Sequence, residues 1–271
     1  MDAVTVKNVA VPALGFGTWA LSGNAAYQAT RMVLDLGYRH IDTAQIYGNE
    51  AEIGRAIRDS GLPRGEIFLT TKIAPSNLRK ADVRHSHEES LKRLGLDHVD
   101  LLLIHWPNPR IPVSETLGAM IKMKREGYAK QIGVSNFTVA LLDEANAVCS
   151  ELVCNQIEYH PFLNQDKVVA ACKRHGMAIV AYSPIARGGA KGNDVLTRIG
   201  KEHRKSAAQV SLRYLVQQGI AVIPRTSKLE RLEENFAVFD FTLTDEEMRE
   251  IAGLARRGGR IVDWTWSPKW D

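Results

Sequence analysis

Residues 99–105, VDLLLIH, form a run that is apolar apart from Asp100 and shows no polar alternation, and a histidine ends it. Such a run is typical of a strand that is buried on both faces of a parallel sheet. Amphipathic stretches flank it at 82–94 and 113–126, and each is followed by a glycine, Gly95 or Gly127, at the place of a helix C-terminal cap. The region therefore predicts repeated strand–helix units of an α/β fold.

The same alternation of short apolar runs and longer amphipathic stretches repeats along the chain. It predicts eight strands, at Ala13–Gly17, Tyr38–Asp42, Ile67–Lys72, Val99–His105, Ala129–Ser135, Leu152–Glu158, Met177–Ser183 and Ile220–Pro224. It predicts eight helices, at Ala25–Leu36, Asn49–Asp59, Asp82–Leu94, Val113–Glu126, Val139–Ala147, Gln165–His175, Ala207–Gln218 and Lys228–Phe236. Eight such units in roughly 250 residues indicate an α/β fold of the (β/α)8 TIM-barrel type. The segment VTVKNVAV at 4–11 predicts a short N-terminal β-hairpin ahead of the barrel.

The main rival fold is a doubly wound sheet of the Rossmann type. That fold places the pattern G-x-G-x-x-G after its first strand. The sequence LGFGTWALSG at 14–23 lacks this spacing. No Pro/Gly/Ser-rich linker or low-complexity run divides the chain, so we expect a single domain over residues 1–271.

Composition narrows the class of partners. Lysine and arginine number 35 and aspartate and glutamate 31, a formal charge of +4 without any block of like charge, so neither nucleic acid nor a membrane surface is expected as a partner. Cys149, Cys154 and Cys172 show no C-x-x-C or metal-like spacing, which is typical of reduced thiols in a cytoplasmic protein. We expect no metal, no signal peptide, no obligate protein partner and nothing beyond a monomer.

Polar residues stand at the ends of the predicted strands. In strand order they are Asp42, Lys72, His105, Ser135 with Asn136, Gln156, Tyr182 with Ser183, and Arg225, while Tyr47 lies in the loop after the second strand. The carboxyl ends of TIM-barrel strands share one rim, where the active sites of this fold lie. We therefore expect a site built from these side chains.

The residue types at the rim suit one kind of chemistry. A buried lysine near a tyrosine favours the phenolate and so lowers the tyrosine pKa, and an aspartate holds that lysine charged and in place. A histidine can orient a carbonyl group. Tyrosine needs such help to act as an acid near neutral pH. Tyr47, Lys72, Asp42 and His105 therefore predict protonation of a carbonyl oxygen while hydride arrives at its carbon.

The chain resembles the aldo-keto reductase superfamily from about Val11 to Asn235. GYRHIDTAQIYGNEAEIGRAI (37–57) is similar to the family's G-x-R-x-[IL]-D-T-A-x-x-Y-x-N-E signature, and LTTKI (69–73) and VDLLLIHWP (99–107) resemble its catalytic-lysine and histidine strands. Four further segments resemble the family's cofactor-binding segments: GVSNF (133–137), NQIEYHP (155–161), AYSP (181–184) and IPRTSKLERLEEN (223–235).

The resemblance implies roles for these residues. Tyr47 would be the general acid, supported by Asp42, Lys72 and His105. The implied cofactor-binding residues are Gly17, Thr18, Trp19, Asp42, Ser135, Asn136, Gln156, Tyr182, Ser183, Pro184, Ile185, Ile223, Pro224, Arg225, Thr226, Ser227, Arg231, Glu234 and Asn235. Ser135, Asn136 and Gln156 would hold the carboxamide, Tyr182 would stack on the nicotinamide, and Ser183 and Ile185 would meet the pyrophosphate. Family members often have lysine at Arg225, but arginine also grips a 2′-phosphate, so with Arg231 nearby we expect NADPH over NADH.

The implied substrate is a small-molecule carbonyl compound. Trp19, Tyr47, His105, Trp106 and Trp264 are the candidate pocket residues. Short connections after the third and fourth strands, as in bacterial 2,5-diketo-D-gluconate reductases, predict an open pocket for aldehydes, diketones or keto-sugars. The tail RIVDWTWSPKWD (260–271), with Trp264 and Trp266, could close over this pocket or merely pack on the barrel.

Other interpretations remain open at the level of sequence. Asp42 and Lys72 could form a structural ion pair, His105 could be a core histidine, and Arg225 and Arg231 could be solvated charges. The alternative function is a non-catalytic protein of the same fold that senses a nicotinamide cofactor. A glycoside hydrolase would need two carboxylates across the rim, which offers only Asp42 and Glu158.

Overall fold

The computed structural model describes residues 2–256 and 258–271. A two-stranded antiparallel hairpin comes first, formed by β1 (Ala3–Val6) and β2 (Val9–Pro12). Eight parallel strands follow in one sheet: β3 (Phe16–Gly17), β4 (His40–Asp42), β5 (Phe68–Ile73), β6 (Val99–Ile104), β7 (Ala129–Ser135), β8 (Cys154–Glu158), β9 (Ala178–Tyr182) and β10 (Ala221–Val222). Neighbours in the sheet are neighbours in sequence, from β3 at one edge to β10 at the other.

The two edges of this sheet curl round and meet. Leu14 and Val222 form an isolated parallel bridge, and the amides of Gly15 and Gly17 donate to the carbonyls of Val222 and Pro224 over 2.8 and 3.1 Å. The backbones approach so closely that a Cβ atom on Gly17 would lie 2.9 Å from the carbonyl oxygen of Ile223, so only glycine fits there. Eight parallel strands in a curled sheet are consistent with the predicted (β/α)8 fold.

Ten helices surround the sheet in the part of the chain that the structure describes. They are α1 (Gly23–Asp35), α2 (Glu50–Asp59), α3 (Lys80–Leu94), α4 (Val113–Arg125), α5 (Val139–Val148), α6 (Asp166–Arg174), α7 (Asp194–His203), α8 (Ala207–Val216), α9 (Leu229–Phe236) and α10 (Asp245–Ala252). All eight predicted helices have a counterpart among them. The prediction missed α7 and α10, although Asn193 and Thr244 cap these two helices with side-chain oxygens that accept from the amides of Leu196 and Glu247.

Six of the eight predicted strands are shorter than expected, and all but the third and the fifth lose one to three residues. The first begins at Phe16 instead of Ala13, and the last spans only Ala221–Val222. The seventh ends at Tyr182 because Ser183 has a φ of +50°, which no strand residue adopts. Apolar content alone does not reveal where the ladder of backbone hydrogen bonds begins and ends.

The apolar core has two parts. The larger lies between the outer faces of the strands and the helices, as expected for an α/β fold. The smaller lies inside the curled sheet and includes Leu101, Leu103 and Val180, and Val4 and Val9 of the hairpin pack against it. None of the helices among the described residues is both long and apolar enough to cross a membrane.

Candidate active site

Four polar side chains meet where β4, β5 and β6 end. Asp42 is the last residue of β4, Lys72 is the next-to-last of β5, and His105 follows β6 directly. Tyr47 closes a 3-10 turn, Gln45–Tyr47, in the loop after β4. Parallel neighbours in the sheet bring the three strand ends to one rim, and the turn carries the tyrosine back towards them.

Lys72 is the centre of this group, and its side chain is fully buried. Its Nζ donates to Asp42 Oδ1 over 2.5 Å, to the carbonyl oxygen of Thr43 over 2.9 Å and to the Tyr47 hydroxyl over 3.3 Å. An ammonium group has three protons to donate, so every one has a partner. One of those partners is the tyrosine hydroxyl, which a purely structural Asp42–Lys72 pair would not need.

The charges in this group shift its pKa values. Burial alone would lower the pKa of Lys72, but Asp42 and Tyr47 together raise it above the ordinary value, so the ammonium stays charged. Burial raises the pKa of Tyr47, and the charge of Lys72 opposes that rise without overcoming it. Lys72 thus lowers the tyrosine pKa as expected, but burial has the larger effect, so the net pKa lies above the ordinary value. The phenol remains protonated at neutral pH.

His105 is neutral. Burial, with a further contribution from the charge of Lys72, holds its pKa well below the ordinary value. Its ring lies against the ring of Tyr47 with centroids 5.5 Å apart and an edge-to-face angle of 78°. Its buried Nδ1 has no hydrogen-bond partner among the residues that the structure describes. A neutral imidazole at this place can donate one hydrogen bond to a ligand but cannot act as a cation near neutral pH.

A network of amide and hydroxyl groups continues from the tetrad. Gln156 Nε2 donates to Asp42 Oδ2 over 2.7 Å, so both carboxylate oxygens of Asp42 are occupied. Asn136 Nδ2 donates to the carbonyl oxygen of His105 and to Ser135 Oγ, and its Oδ1 accepts from the Tyr182 hydroxyl over 2.7 Å. Asn136 adopts a φ of +63°, a conformation that asparagine tolerates better than most residues and that is common near functional sites.

A cavity of about 660 Å³ extends from the tetrad to the start of α9. Its lining includes most residues that the sequence singled out: Gly17, Trp19, Asp42, Tyr47, His105, Trp106, Ser135, Asn136, Gln156, Tyr182, Ser183, Pro184, Ile185, Ile223, Arg225, Thr226, Arg231, Glu234, Asn235 and Trp264. Lys72 and the predicted cofactor residues Thr18, Pro224 and Ser227 are not part of the lining. The volume is within the usual range of ligand pockets, roughly 300–1,000 Å³.

The lining also includes residues that the sequence did not indicate. These are Ile46, Arg187, Gly188, Lys191 and Ala208, whereas the further lining residues Val262 and Trp266 belong to the tail that the sequence already indicated. Arg187, Gly188 and Lys191 belong to a glycine-rich stretch after β9, in which Ala186, Arg187 and Gly188 all have positive φ. Such a loop shows no hydrophobic periodicity, so its position beside the cavity was unpredictable. The Arg187 guanidinium lies 4.8 Å from the ring of Trp19, which joins this loop to the one after β3.

Cationic side chains mark the far end of the cavity. Arg231 lies on the exposed first turn of α9, and Arg225 follows β10. Arg225 Nε and Nη2 donate to the carbonyl oxygens of Trp19 and Ala20 over 3.0 and 3.1 Å, so its guanidinium is held in place. Cations beside a helix N-terminus favour phosphate groups. The donor set of the cavity, with amides next to the tetrad and cations at the other end, fits an extended dinucleotide.

The C-terminal tail lies at the tetrad end of the cavity. Val262, Trp264 and Trp266 contribute to the lining, and the ring of Trp266 lies 5.1 Å from that of Trp106 in an edge-to-face arrangement. The tail therefore borders the pocket and does not merely pack on the outside of the barrel. Trp264 and Trp266 are each about half exposed, at 50% and 49%.

Two other kinds of site find no support here. Among the described residues, no group of three or more histidine, cysteine, aspartate or glutamate side chains is arranged to hold a metal ion. The two rim carboxylates also differ from a hydrolase pair, since both oxygens of Asp42 accept from Lys72 and Gln156. Glu158 is fully buried and is absent from the described lining of the cavity.

Comparison with family models gives one match over most of the chain. The model described as the aldo/keto reductase family matches residues 13–256. The resemblance seen in the sequence motifs is thereby confirmed, and it extends beyond the Val11–Asn235 region at the C-terminal side.

Individual relatives are similar over nearly their full length. A methylglyoxal reductase DkgB from Escherichia coli O157:H7 is 41% identical over 267 residues, which cover 97% of this chain and 100% of the relative. A 9,11-endoperoxide prostaglandin H2 reductase from Trypanosoma cruzi is 43% identical over 259 residues, covering 93% and 91%. A crystal structure provisionally named 2,5-diketo-D-gluconic acid reductase B superposes with a TM-score of 0.98 at 46% identity, covering 100% of this chain and 98% of the other.

Proposed function

This chain belongs to the aldo/keto reductase family of oxidoreductases, and from that premise we propose that it reduces aldehydes or ketones to alcohols with NADPH, using Tyr47 as the general acid. The observation that carries the proposal is the contact of one buried ammonium group, on Lys72, with both Asp42 and the Tyr47 hydroxyl. The protonated phenol and its charged partner lie at one end of a ligand-sized cavity, and the neutral His105 lies against the phenol ring.

Each member of the tetrad has a separate task in the proposed reaction. A nicotinamide bound in the cavity supplies the hydride that reaches the carbonyl carbon. Tyr47 transfers its hydroxyl proton to the carbonyl oxygen, and the charge of Lys72, 3.3 Å from the tyrosine oxygen, stabilises the phenolate that remains. Asp42 keeps Lys72 charged and in position. His105, being neutral, donates a hydrogen bond that orients the carbonyl.

The remaining lining residues would hold the cofactor. Ser135, Asn136 and Gln156 present amide and hydroxyl groups for the carboxamide, and Tyr182 presents its ring for stacking. Arg225 and Arg231 supply the cations expected beside a 2′-phosphate, which supports NADPH over NADH. Replacing Arg231 with alanine should then raise the Kd for NADPH about tenfold and leave the Kd for NADH within about twofold, because only NADPH carries that phosphate. Equal weakening of both cofactors would remove the basis for the preference.

The substrate is proposed to be a small carbonyl compound. The relatives' names include reductases of methylglyoxal and of 2,5-diketo-D-gluconic acid. The pocket end of the cavity, with Trp19, Trp106 and Trp264 around Tyr47 and His105, can take dicarbonyls, keto-sugars or aromatic aldehydes. Tryptophan rings offer flat apolar faces to sugar rings and to planar aromatic groups alike, so the lining suits each of these classes.

The proposal also covers the domain organisation, the cellular compartment and the oligomeric state. We place the chain as a single closed TIM-barrel domain over residues 1–271 that works as a cytoplasmic monomer. The meeting of β3 and β10 supports closure, and the three buried free cysteines agree with a reducing compartment.

The wild-type protein tests the proposal directly. It should oxidise NADPH in the presence of methylglyoxal or 4-nitrobenzaldehyde, followed by loss of the reduced-cofactor absorbance. Tight NADPH binding without turnover of any carbonyl in a broad panel would instead support the cofactor-sensing alternative. The absence of both binding and turnover would reject the two functions together.

A further inference from the structure

Glu158 is a buried carboxylate for which the proposed reaction has no use. It ends β8, is fully buried and does not belong to the described lining of the cavity. Its two oxygens accept from consecutive backbone amides of the C-terminal tail: Oε1 from Ile261 over 2.7 Å and Oε2 from Val262 over 2.8 Å. His160 Nε2 lies 3.0 Å from Oε1, and Arg260 Nη1 lies 4.0 Å from Oε2.

The tail reaches Glu158 by running along the loop that follows β8. The amide of Arg256 donates to the carbonyl oxygen of Phe162 over 3.2 Å. A Cβ atom on Gly259 would lie only 1.8 Å from the same oxygen, so the chain passes there without room for a side chain. The tail is therefore docked on residues 158–162 before it reaches the cavity.

Beyond Val262 the tail folds on itself. Trp270 Nε1 donates to Asp263 Oδ1 over 3.0 Å, and the Arg260 guanidinium stacks 3.6 Å above the Trp270 ring. The far end is held by Asp271, whose Oδ2 accepts from the amide of Val139 at the start of α5. Between these two attachments the tail presents Trp264 and Trp266 to the cavity.

We infer that Glu158 is a positioning residue for substrate selection, which acts by holding the C-terminal tail so that Trp264 and Trp266 wall the substrate end of the cavity. This inference rests on the proposed function and deepens it. Glu158 touches neither Lys72 nor the Tyr47 hydroxyl, so the step of proton transfer does not depend on it. Its effect should appear in the binding of substrates large enough to reach the tryptophans.

The substitution Glu158→Gln tests the inference because it keeps the shape of the side chain. A carboxylate accepts from two amides, whereas glutamine offers one oxygen and one NH2 group, so the amide of Ile261 or Val262 loses its acceptor. A buried N–H without a partner is costly, so the tail should detach and KM for 4-nitrobenzaldehyde should rise about tenfold. We expect kcat, the NADPH Kd and KM for methylglyoxal, which is too small to span the pocket, to stay within about twofold.

Glu247→Gln is the matched control. Glu247 also accepts from a backbone amide, that of Thr244, and lies 2.7 Å from a histidine nitrogen, His203 Nε2, but it is on α10 and outside the described lining of the cavity. This variant should lower thermal stability without changing the ratio of the two KM values. An equal change of that ratio in both variants would show that a general loss of stability causes the effect, and it would overturn the positioning role of Glu158.

A double-mutant cycle with Trp266→Ala separates action through the tail from action by another route. If Glu158 works by placing Trp266, the double variant should raise KM for 4-nitrobenzaldehyde no further than the larger single effect. Multiplication of the two single effects would contradict the inference, and so would an unchanged KM in Glu158→Gln.

Hydrogen exchange tests the contact even if the protein turns over no carbonyl at all. In Glu158→Gln the amides of Ile261 and Val262 should exchange at least about tenfold faster than in the wild type, while the amides of β5 and β6 keep their protection. Unchanged exchange at both tail amides would reject the inference. Absence of turnover in the wild type would reject the proposed function alone.

Discussion

The tetrad and the C-terminal tail face the same cavity, but they are held in very different ways. Asp42 and Lys72 are part of the parallel sheet and almost completely buried, and every Lys72 proton has a partner. Trp264 and Trp266 lie on a tail that has no regular secondary structure and is attached chiefly through Glu158 and Asp271. The difference indicates that the chemical step and substrate selection are separable. The sheet holds the residues of the chemical step, and the C-terminal tail, which can vary without disturbing the sheet, governs substrate selection.

The largest expected effect comes from breaking the tetrad. Lys72→Met leaves the Asp42 carboxylate buried without its counter-charge and Tyr47 without support for its phenolate. We expect kcat to fall about a thousandfold and the free energy of unfolding to fall by about 3–5 kcal/mol. Steady-state kinetics and urea unfolding measure the two effects. Lys92→Met, which removes a lysine from an exposed ion pair with Glu89, is the control and should change neither.

The pH dependence follows from the directions of the pKa shifts. Burial holds the pKa of His105 well below its ordinary value and that of Tyr47 above its ordinary value, so neither group titrates between about pH 6 and pH 9. The reduction needs protonated Tyr47, and its kcat/KM should stay flat over that range. The reverse oxidation of an alcohol needs the phenolate and should accelerate up to about tenfold per pH unit, about a hundredfold from pH 7 to pH 9. A loss of reduction towards pH 6 would mean that His105 titrates there, which would contradict a pKa held well below the ordinary value.

A smaller effect should follow from shortening the tail. Removal of residues 263–271 takes away Trp264 and Trp266 but keeps the amides that Glu158 binds. We expect KM for aromatic aldehydes to rise about thirtyfold, since each of the two aromatic contacts contributes about 1 kcal/mol, while kcat stays within about threefold. A loss of kcat as large as in Lys72→Met would show that the tail takes part in the chemistry and that the two regions are not separable.

The smallest effect is expected away from both regions. Thr244 caps α10 in a reciprocal capping box with Glu247, and α10 contributes no residue to the described lining of the cavity. Thr244→Ala should lower the free energy of unfolding by about 1 kcal/mol. Both KM values and kcat should remain at the wild-type level. A change in kinetics would mean that the helix before the tail transmits strain to the pocket.

The polar residues of the rim can be picked out from the sequence because the strands that carry them have a strong apolar pattern. Buried parallel strands are nearly all apolar, so a polar residue at a strand end, such as Lys72 or Gln156, stands out. Neighbouring strands of the sheet then bring these residues together. The sign of the net pKa shift of Tyr47 could not be predicted, because it depends on how far burial outweighs the charge of Lys72, and burial is known only in three dimensions.

Two segments complete the cavity; the sequence left two positions open for the tail and did not indicate the stretch after β9 at all, for a different reason. Arg187 and Lys191 lie in a stretch whose path is set by positive φ values and not by hydrophobic periodicity. The place of the tail depends on Glu158, whose partners are backbone amides about a hundred residues away. Any residue except proline supplies such an amide, so no side-chain pattern records the contact. For α10, by contrast, the sequence does contain a local signal, the T-D-E-E capping box at 244–247.

The central claim is that Tyr47 donates the proton in carbonyl reduction, and Tyr47→Phe tests it most directly. The substitution removes only the hydroxyl that lies 3.3 Å from Lys72 Nζ. Measured with methylglyoxal and with 4-nitrobenzaldehyde, kcat should fall by about three orders of magnitude, while the NADPH Kd stays within about twofold of the wild type. Turnover within a few-fold of the wild type, with cofactor affinity unchanged, would contradict the account.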